Sequence, residues 1–391
     1  MPRIAERVSQ LGTETALDVL IKARALEARG RTVIHLEVGE PDFPTPGHIV
    51  EAGVRALRDG HTRYGPPAGQ PELREAICTE LFESRGVRAG PERIVVAPGA
   101  KPLVFYGILA AVSPGDEVLI PDPGFPIYAS MVRFCGGVPV AVPPRLTPED
   151  DARALDLDAL ERAITPRTRM VIFNAPSNPT GAVVPPDDLR RLAALSQRHD
   201  LWVMADEIYR RISYGPPPGS IAALPGMDER TIVVDGFSKS YAMTGWRLGW
   251  GLFPPALAPH AVRLMINSNT CTASFVQRAG LAALTGPQDP VREMTAEFRR
   301  RRDAFIARLR RIPGVRCSSP AGAFYAFPDV RGLPVPAAAL ADRLLEEEGV
   351  AVLDGAGFGE RGAGHLRFSF ANSLANLEEA ADRFGRLVAR L

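Results

Sequence analysis

The sequence predicts an α/β fold. A large domain holds a mainly parallel, mixed seven-stranded sheet with helices on both faces, and a smaller α+β domain adjoins it. Three observations carry this prediction. Between residues 93 and 253 short apolar runs alternate with helical stretches, the rhythm of strand, loop and helix that builds a parallel sheet. The 391 residues are enough for two cores. From about Pro290 the texture changes to a long basic helix followed by shorter strands and two more helices. The expected division is 48–289 for the large domain, with 1–47 and 290–391 forming the small domain and an N-terminal arm.

Taken in order, Thr15 to Ala28 reads as an amphipathic helix ended by Gly30, and Arg31 to Leu36 as a short strand. Val38-Gly39-Glu40-Pro41-Asp42-Phe43-Pro44 is a proline-stiffened loop. Gly39 there is either a simple turn residue or a backbone donor that an anion can approach closely. Helices follow at about His48 to Arg58 and Pro71 to Ser84, separated by the stiff loop Tyr64-Gly65-Pro66-Pro67-Ala68-Gly69. The strand candidates of the large sheet are Arg93–Ala97, Glu117–Pro121, Val138–Val142, Met170–Asn174, Leu201–Ala205, Thr231–Val234 and Arg247–Phe253. In the second domain, Val291 to Arg311 is a helix, and Ala323–Phe327, Val350–Leu353 and Leu366–Phe370 are strand candidates.

Bulk properties narrow the function. A net charge of +1 and 23% charged residues give no field that favours nucleic acid or an anionic membrane. The one basic block, Arg299 to Arg302, lies in the long helix and is expected to be a solvated face. The cysteines Cys78, Cys135, Cys271 and Cys317 show no zinc or redox spacing, and the six histidines form no H-E-x-x-H pattern, so no metal site is expected. No apolar run reaches the roughly 20 residues of a membrane span. A reduced, cytoplasmic protein is expected.

Of the 46 basic residues only three are lysines, so each lysine invites the question of what arginine cannot do. Lys22 falls on the first helix pattern and is expected in solvent. Lys101 follows Pro98-Gly99-Ala100 at a helix start, where a cation meets a phosphate. Lys239 follows the apolar run Thr231–Val234, so its amine is a candidate Schiff-base nucleophile. Ligands of open α/β sheets gather beyond the carboxyl ends of the strands. The residues that follow the strands here are Gly99-Ala100-Lys101, Asp122 to Phe125, Asn174 to Gly181, Asp206 to Tyr209 and Ser238-Lys239. Together they offer a phosphate cradle, a flat aromatic, an amide, a carboxylate, a phenol and an amine, a set that suits pyridoxal 5'-phosphate.

Four motifs occur in order: Asn178-Pro179-Thr180-Gly181, Asp206-Glu207-Ile208-Tyr209, Ser-Lys-x-Tyr-x-Met-x-Gly-x-Arg at 238–247, and the arginine of His365-Leu366-Arg367-Phe368-Ser369. With them the chain resembles a class I/II aminotransferase of the fold-type I pyridoxal-phosphate superfamily, from Val38-Gly39-Glu40-Pro41 to the last helix. The resemblance implies transfer of an amino group from an L-amino acid to a 2-oxo acid. Lys239 would hold the cofactor as a Schiff base and shuttle the proton. Asp206 would pair with the pyridine nitrogen, and Tyr209 and Asn178 would bond the ring oxygen. Phe125, where relatives carry tyrosine or tryptophan, would stack on the ring. Ser238, Arg247 and the Gly99-Ala100-Lys101 turn would hold the phosphate. Tyr64 would reach the phosphate of a neighbouring subunit in a homodimer with shared active sites. Arg367 would grip the substrate α-carboxylate, assisted by Gly39 and Asn178.

Rival readings are a β-elimination lyase on the same fold, a non-catalytic ligand sensor and a nicotinamide enzyme. The glycines at 355, 357 and 359 do not follow the strand, G-x-G-x-x-G, helix pattern of the last. With no arginine besides Arg367 placed in the pocket from the sequence, neutral amino donors are expected, with 2-oxoglutarate or pyruvate as acceptor.

Overall fold

The computed structural model describes residues 3–12, 15–144 and 155–391. Its centre is a seven-stranded sheet, with strands numbered here in chain order: β1 Ile94–Ala97, β2 Glu117–Pro121, β3 Val138–Val142, β4 Thr168–Asn174, β5 Trp202–Asp206, β6 Thr231–Gly236 and β7 Gly249–Leu252. The spatial order is β1-β7-β6-β5-β4-β2-β3. The β2–β3, β2–β4, β4–β5 and β5–β6 pairs are parallel, while β7 runs antiparallel to both of its neighbours.

The alternation of side chains along each strand builds two cores, one on each face. Val95, Ala97, Met204, Ile232 and Val234 point to one, where helices Lys101–Ala111 and Ala258–Asn269 pack. On the other face, Ile94, Val96 and Val233 meet helices Pro71–Arg85 and Ser274–Thr285, while Val203 and Ala205 meet Pro186–Arg198. Strands buried on both faces must be apolar throughout, and β1 and β6 are buried at every position. That is why these runs are legible in the sequence.

Beyond the large sheet, Leu353–Asp354, Leu366–Ser369 and Tyr325–Ala326 form a three-stranded antiparallel sheet in that order. Ile34–His35 pairs in parallel with Val350–Ala351. Helices Asp289–Leu309, Ala337–Glu348 and Leu374–Val388 close over this region around a core rich in phenylalanine, including Phe298, Phe305, Phe324, Phe368, Phe370 and Phe384.

Several expected bounds shift. The 31–36 strand is only two residues long, and the 350–353 run splits into two separate pairings. The last large-sheet strand begins at Gly249 because Arg247 sits in a turn with a φ of +55°. The expected solvated face at 299–302 is corrected for two of its arginines: Arg302 is half-buried, with its guanidinium 4.6 Å from the Tyr214 ring centre, and Arg301 lies deeper. Arg300 is turned outward against Glu297, but Arg301 is 7% exposed. Arg301 pairs with Asp42 at 2.7 Å and Glu297 at 2.9 Å, and its guanidinium lies 4.8 Å from the centre of the Phe43 ring. Lys22 is 60% exposed and pairs with Asp342 at 3.2 Å.

Candidate active site

The carboxyl ends of β1, β2, β4, β5 and β6 lie at one edge of the sheet. Because β7 runs the other way, its amino end lies at the same edge and brings Arg247 there. A cavity of about 370 Å³ opens at this edge. Ala100, Lys101, Phe125, Asn178, Asp206, Tyr209, Ser238, Lys239, Arg247, Gly39 and Arg367 all line it. Segments far apart in the sequence therefore converge as the motifs implied. Gly99 stands just behind Arg247, and Tyr64 lies apart from the cavity with 86% of its surface exposed.

The Lys239 amine donates to the carbonyl oxygen of Gly39 at 2.6 Å. Three more bonds stitch the two loops together. Thr45 Oγ1 donates to the carbonyl of Ala242, Trp246 Nε1 donates to Thr45 Oγ1 at 3.0 Å, and Thr244 bonds Glu40. The 39–46 loop is thereby fixed against the lysine-bearing segment.

Asp206 ends β5 and is buried, 6% exposed. Burial pushes its carboxyl up to about 6. The Tyr128 hydroxyl, 2.6 Å from Oδ2, and the Ile208 N–H, 3.2 Å from Oδ1, oppose that rise. The nearby charges of Asp235 and Glu207 add to it. Those two carboxylates are held by the fully buried Arg85, at 2.7 Å from Glu207 and in a short contact with Asp235. Asn174, at the end of β4, donates to the Asp206 carbonyl at 2.9 Å and accepts from the Asn178 N–H at 2.7 Å.

Tyr209 is buried, and its hydroxyl lies 2.7 Å from that of Tyr325. Burial raises its pKa well above the ordinary phenol value, the Tyr325 hydroxyl and Asp206 add to that, and Arg367 opposes it. Arg367 is 3% exposed, bonds the Glu37 carbonyl, and lies 4.7 Å from the Tyr325 ring centre and 5.4 Å from that of Phe358.

Tyr128 and Tyr325 are site residues that the sequence reasoning missed. Tyr128 stands one helical turn past Phe125, a spacing that does place two side chains together. Tyr325 lies in the middle of a strand candidate, where nothing local separates it from a core aromatic.

The donor set fits a flat, phosphorylated aldehyde. Helix Lys101–Ala111 begins without a side-chain cap, so its open end offers the Ala100 N–H and the helix dipole to an anion, whereas the Gly99 N–H donates to the Ala97 carbonyl and the Leu103 N–H to that of Ala100. Gly99 has a φ of +98°, and a Cβ there would strike the Arg247 guanidinium. Arg247 itself bonds the carbonyl of Thr244 at 2.9 Å. Asn178 Oδ1 is buried with no hydrogen bond among the described residues, an open acceptor at the cavity, and the amide Nδ2 beside it is the group that can donate to a ring oxygen.

Comparison with known proteins agrees. A family model described as "Aminotransferase class I and II" matches residues 31–384. The aspartate aminotransferase of Geobacillus stearothermophilus is 38% identical over 403 residues, covering 99% of each chain. Aromatic-amino-acid aminotransferase 2 of Thermococcus litoralis is 39% identical, covering 91% of this chain and 92% of its own. Aspartate aminotransferase from Thermus thermophilus with maleate superposes with a TM-score of 0.93 at 39% identity, covering 99% of this chain and all of that one. A lysine, a buried carboxylate and a buried arginine facing one cavity, in a chain matched nearly end to end, have one reading: the chain belongs to the class I and II aminotransferases, enzymes that work with pyridoxal 5'-phosphate.

Proposed function

We propose that this aminotransferase takes a neutral L-amino acid as donor and a 2-oxo acid as acceptor, using Lys239 as both the covalent anchor of the cofactor and the proton carrier. The observation that carries this reading is that Lys239, Asp206, Tyr209 and Arg367 face a single cavity. Pyridoxal phosphate, when bound, supplies an aldehyde carbon and a ring that withdraws electrons from the substrate Cα. Arg367 grips the substrate carboxylate through two parallel N–H bonds and so aims the Cα–H bond. Once the substrate amino group has taken its place on the cofactor, the freed Lys239 amine would remove that proton and return it at the cofactor's aldehyde carbon. Asp206 holds the ring nitrogen protonated, and a carboxylate already short of solvent gains most from such a partner. Tyr209 and Asn178 would bond the ring oxygen, Phe125 would cover the ring, and Ser238, Arg247 and the 99–101 turn would hold the phosphate.

Leu20, Val104, Leu353 and Phe358 are apolar residues that line the cavity, which supports the neutral donor. A second reading, an acidic donor, is favoured by one observation: Lys101 also lines the cavity.

Tyr64, Leu17 and Ile21 are large, exposed side chains that a second copy of the chain would remove from water. That supports a homodimer in which Tyr64 reaches the partner's phosphate. Four free cysteines support a reducing compartment such as the cytoplasm. Among the described residues no helix is long and apolar enough to cross a membrane. All strands of the large sheet fall between 94 and 252, which supports a large domain spanning 48–289 and a small domain of 1–47 with 290–391.

One experiment tests the reading. Wild type and Lys239→Ala are assayed with a panel of neutral, aromatic and acidic amino donors against 2-oxoglutarate and pyruvate. Neutral donors are expected to lead, with no turnover in the variant. Preference for aspartate sinks the neutral reading in favour of the acidic one. Pyruvate and ammonia released without an added oxo acid would point to elimination instead.

A further inference from the structure

We propose that Tyr325 is a positioning residue for the reaction: its hydroxyl turns the Tyr209 O–H into the cavity, and its ring ties that phenol to the Arg367 guanidinium. The inference rests on the role given above to Tyr209 and assigns a function to a residue that carries none in it.

The geometry leaves the Tyr325 ring little freedom. Its hydroxyl lies 2.7 Å from that of Tyr209, and the two rings meet edge to face with centres 5.6 Å apart. The Arg367 guanidinium lies 4.7 Å from its ring centre. Phe324 packs 4.9 Å from it, centre to centre, and 5.5 Å from Tyr209. On the side of the 39–46 loop, Gly39 is so close that a Cβ there would overlap the Tyr325 hydroxyl. Tyr325 is 1% exposed and Tyr209 4%, so both rings are held by their protein neighbours rather than by bulk solvent.

Two phenols at this distance share one proton between their oxygens. When Tyr325 donates, Tyr209 accepts, and the Tyr209 proton is left to point elsewhere. The Tyr209 side chain lines the cavity, so the cavity is where that proton goes. A hydroxyl that accepts one bond also donates a stronger one, because each bond polarises the next. Tyr325 therefore orients the Tyr209 donor and strengthens it. The contact with Arg367 extends the chain further. A substrate carboxylate that pairs with Arg367 neutralises the charge lying over the Tyr325 ring, and the Tyr209 phenol feels that change through its partner. One aromatic side chain thus joins the carboxylate grip to the phenol beside the ring oxygen.

The test uses the holoenzyme and reads the pH titration of the visible absorbance of the bound cofactor. A donor to the ring oxygen favours its deprotonated form. Tyr325→Phe, which keeps the ring and removes the hydroxyl, is expected to move the midpoint upward by about half to one pH unit. It is also expected to lower kcat more than it raises KM, with an unchanged far-UV circular dichroism spectrum. In a Tyr209→Phe background the same substitution is expected to move the midpoint no further. A Tyr325→Phe curve that superimposes on wild type overturns the proposal, as does an equal shift in both backgrounds. If Tyr209→Phe alone leaves the midpoint in place, the role given to Tyr209 has failed and the proposal falls with it. That result is distinct from a null effect of Tyr325→Phe alone.

Discussion

Asp206→Asn should make the cofactor-free protein more stable while removing its function. The buried carboxyl is pushed up to about 6 from an ordinary value of 3.8. Below about pH 4 the group is protonated in both the folded and the unfolded chain, and it costs nothing. Between about pH 4 and 6 the folded chain keeps a proton that the unfolded chain has released, so stability falls as the pH rises. At pH 8 the whole cost stands, about 3 kcal/mol at about 1.4 kcal/mol per pH unit. The amide removes that cost. It keeps an acceptor for the Ile208 N–H and can donate to the Tyr128 oxygen, and the charge-assisted Tyr128 bond that it gives up is already contained in the net shift. The gain is therefore about 3 kcal/mol. Unfolding entropy of about 2 cal/mol/K per residue turns this into an upward Tm shift of about 3 to 4 °C for a chain of this length. The assay is calorimetry of wild type and variant, both without cofactor, at pH 5 and pH 8. The difference between them should be larger at pH 8. With pyridoxal phosphate bound the order should reverse, because only the carboxylate pairs with the ring nitrogen. A variant that melts at or below wild type at pH 8, or a difference that does not change with pH, would refute the reasoning.

Arg301→Met should cost about 1 to 3 kcal/mol in urea unfolding, because it leaves the partly exposed Asp42 without its partner, while Glu297 keeps its pair with Arg300. Since Asp42 shares a loop with Gly39, the donor KM should also rise, and an unchanged KM would argue against that link. Gly99→Ala should weaken cofactor binding by about tenfold or more, measured by absorbance titration, since it forces a side chain onto a φ of +98° and into the Arg247 guanidinium.

The inner strands of the large sheet were legible because strands covered on both faces must be apolar, and all seven candidates, the partly exposed edge strand β3 included, fall on observed strands. Its topology brings the residues that follow the strands to one edge, so Asp206, Ser238 and Lys239 could be gathered before any coordinates. What stayed hidden depends on contacts between distant segments. Tyr128 meets Asp206 across 78 residues and Tyr325 meets Tyr209 across 116, and neither pairing leaves a local pattern. Arg301 was misread for a related reason. Successive helix positions turn by about 100°, so one member of a run of four arginines can face a seam while its neighbour faces water. Only the position of Asp42, fixed by the fold, decides which one does.

The scarcity of lysine has a practical side. Lys22 and Lys101 are both exposed, whereas Lys239 is only partly so and lies in the cavity. Reagents that acylate ε-amines should therefore mark the loaded enzyme at the first two and spare the third. Stripping the vitamin-derived group would uncover that last target, so the number of tags per chain would read out occupancy directly.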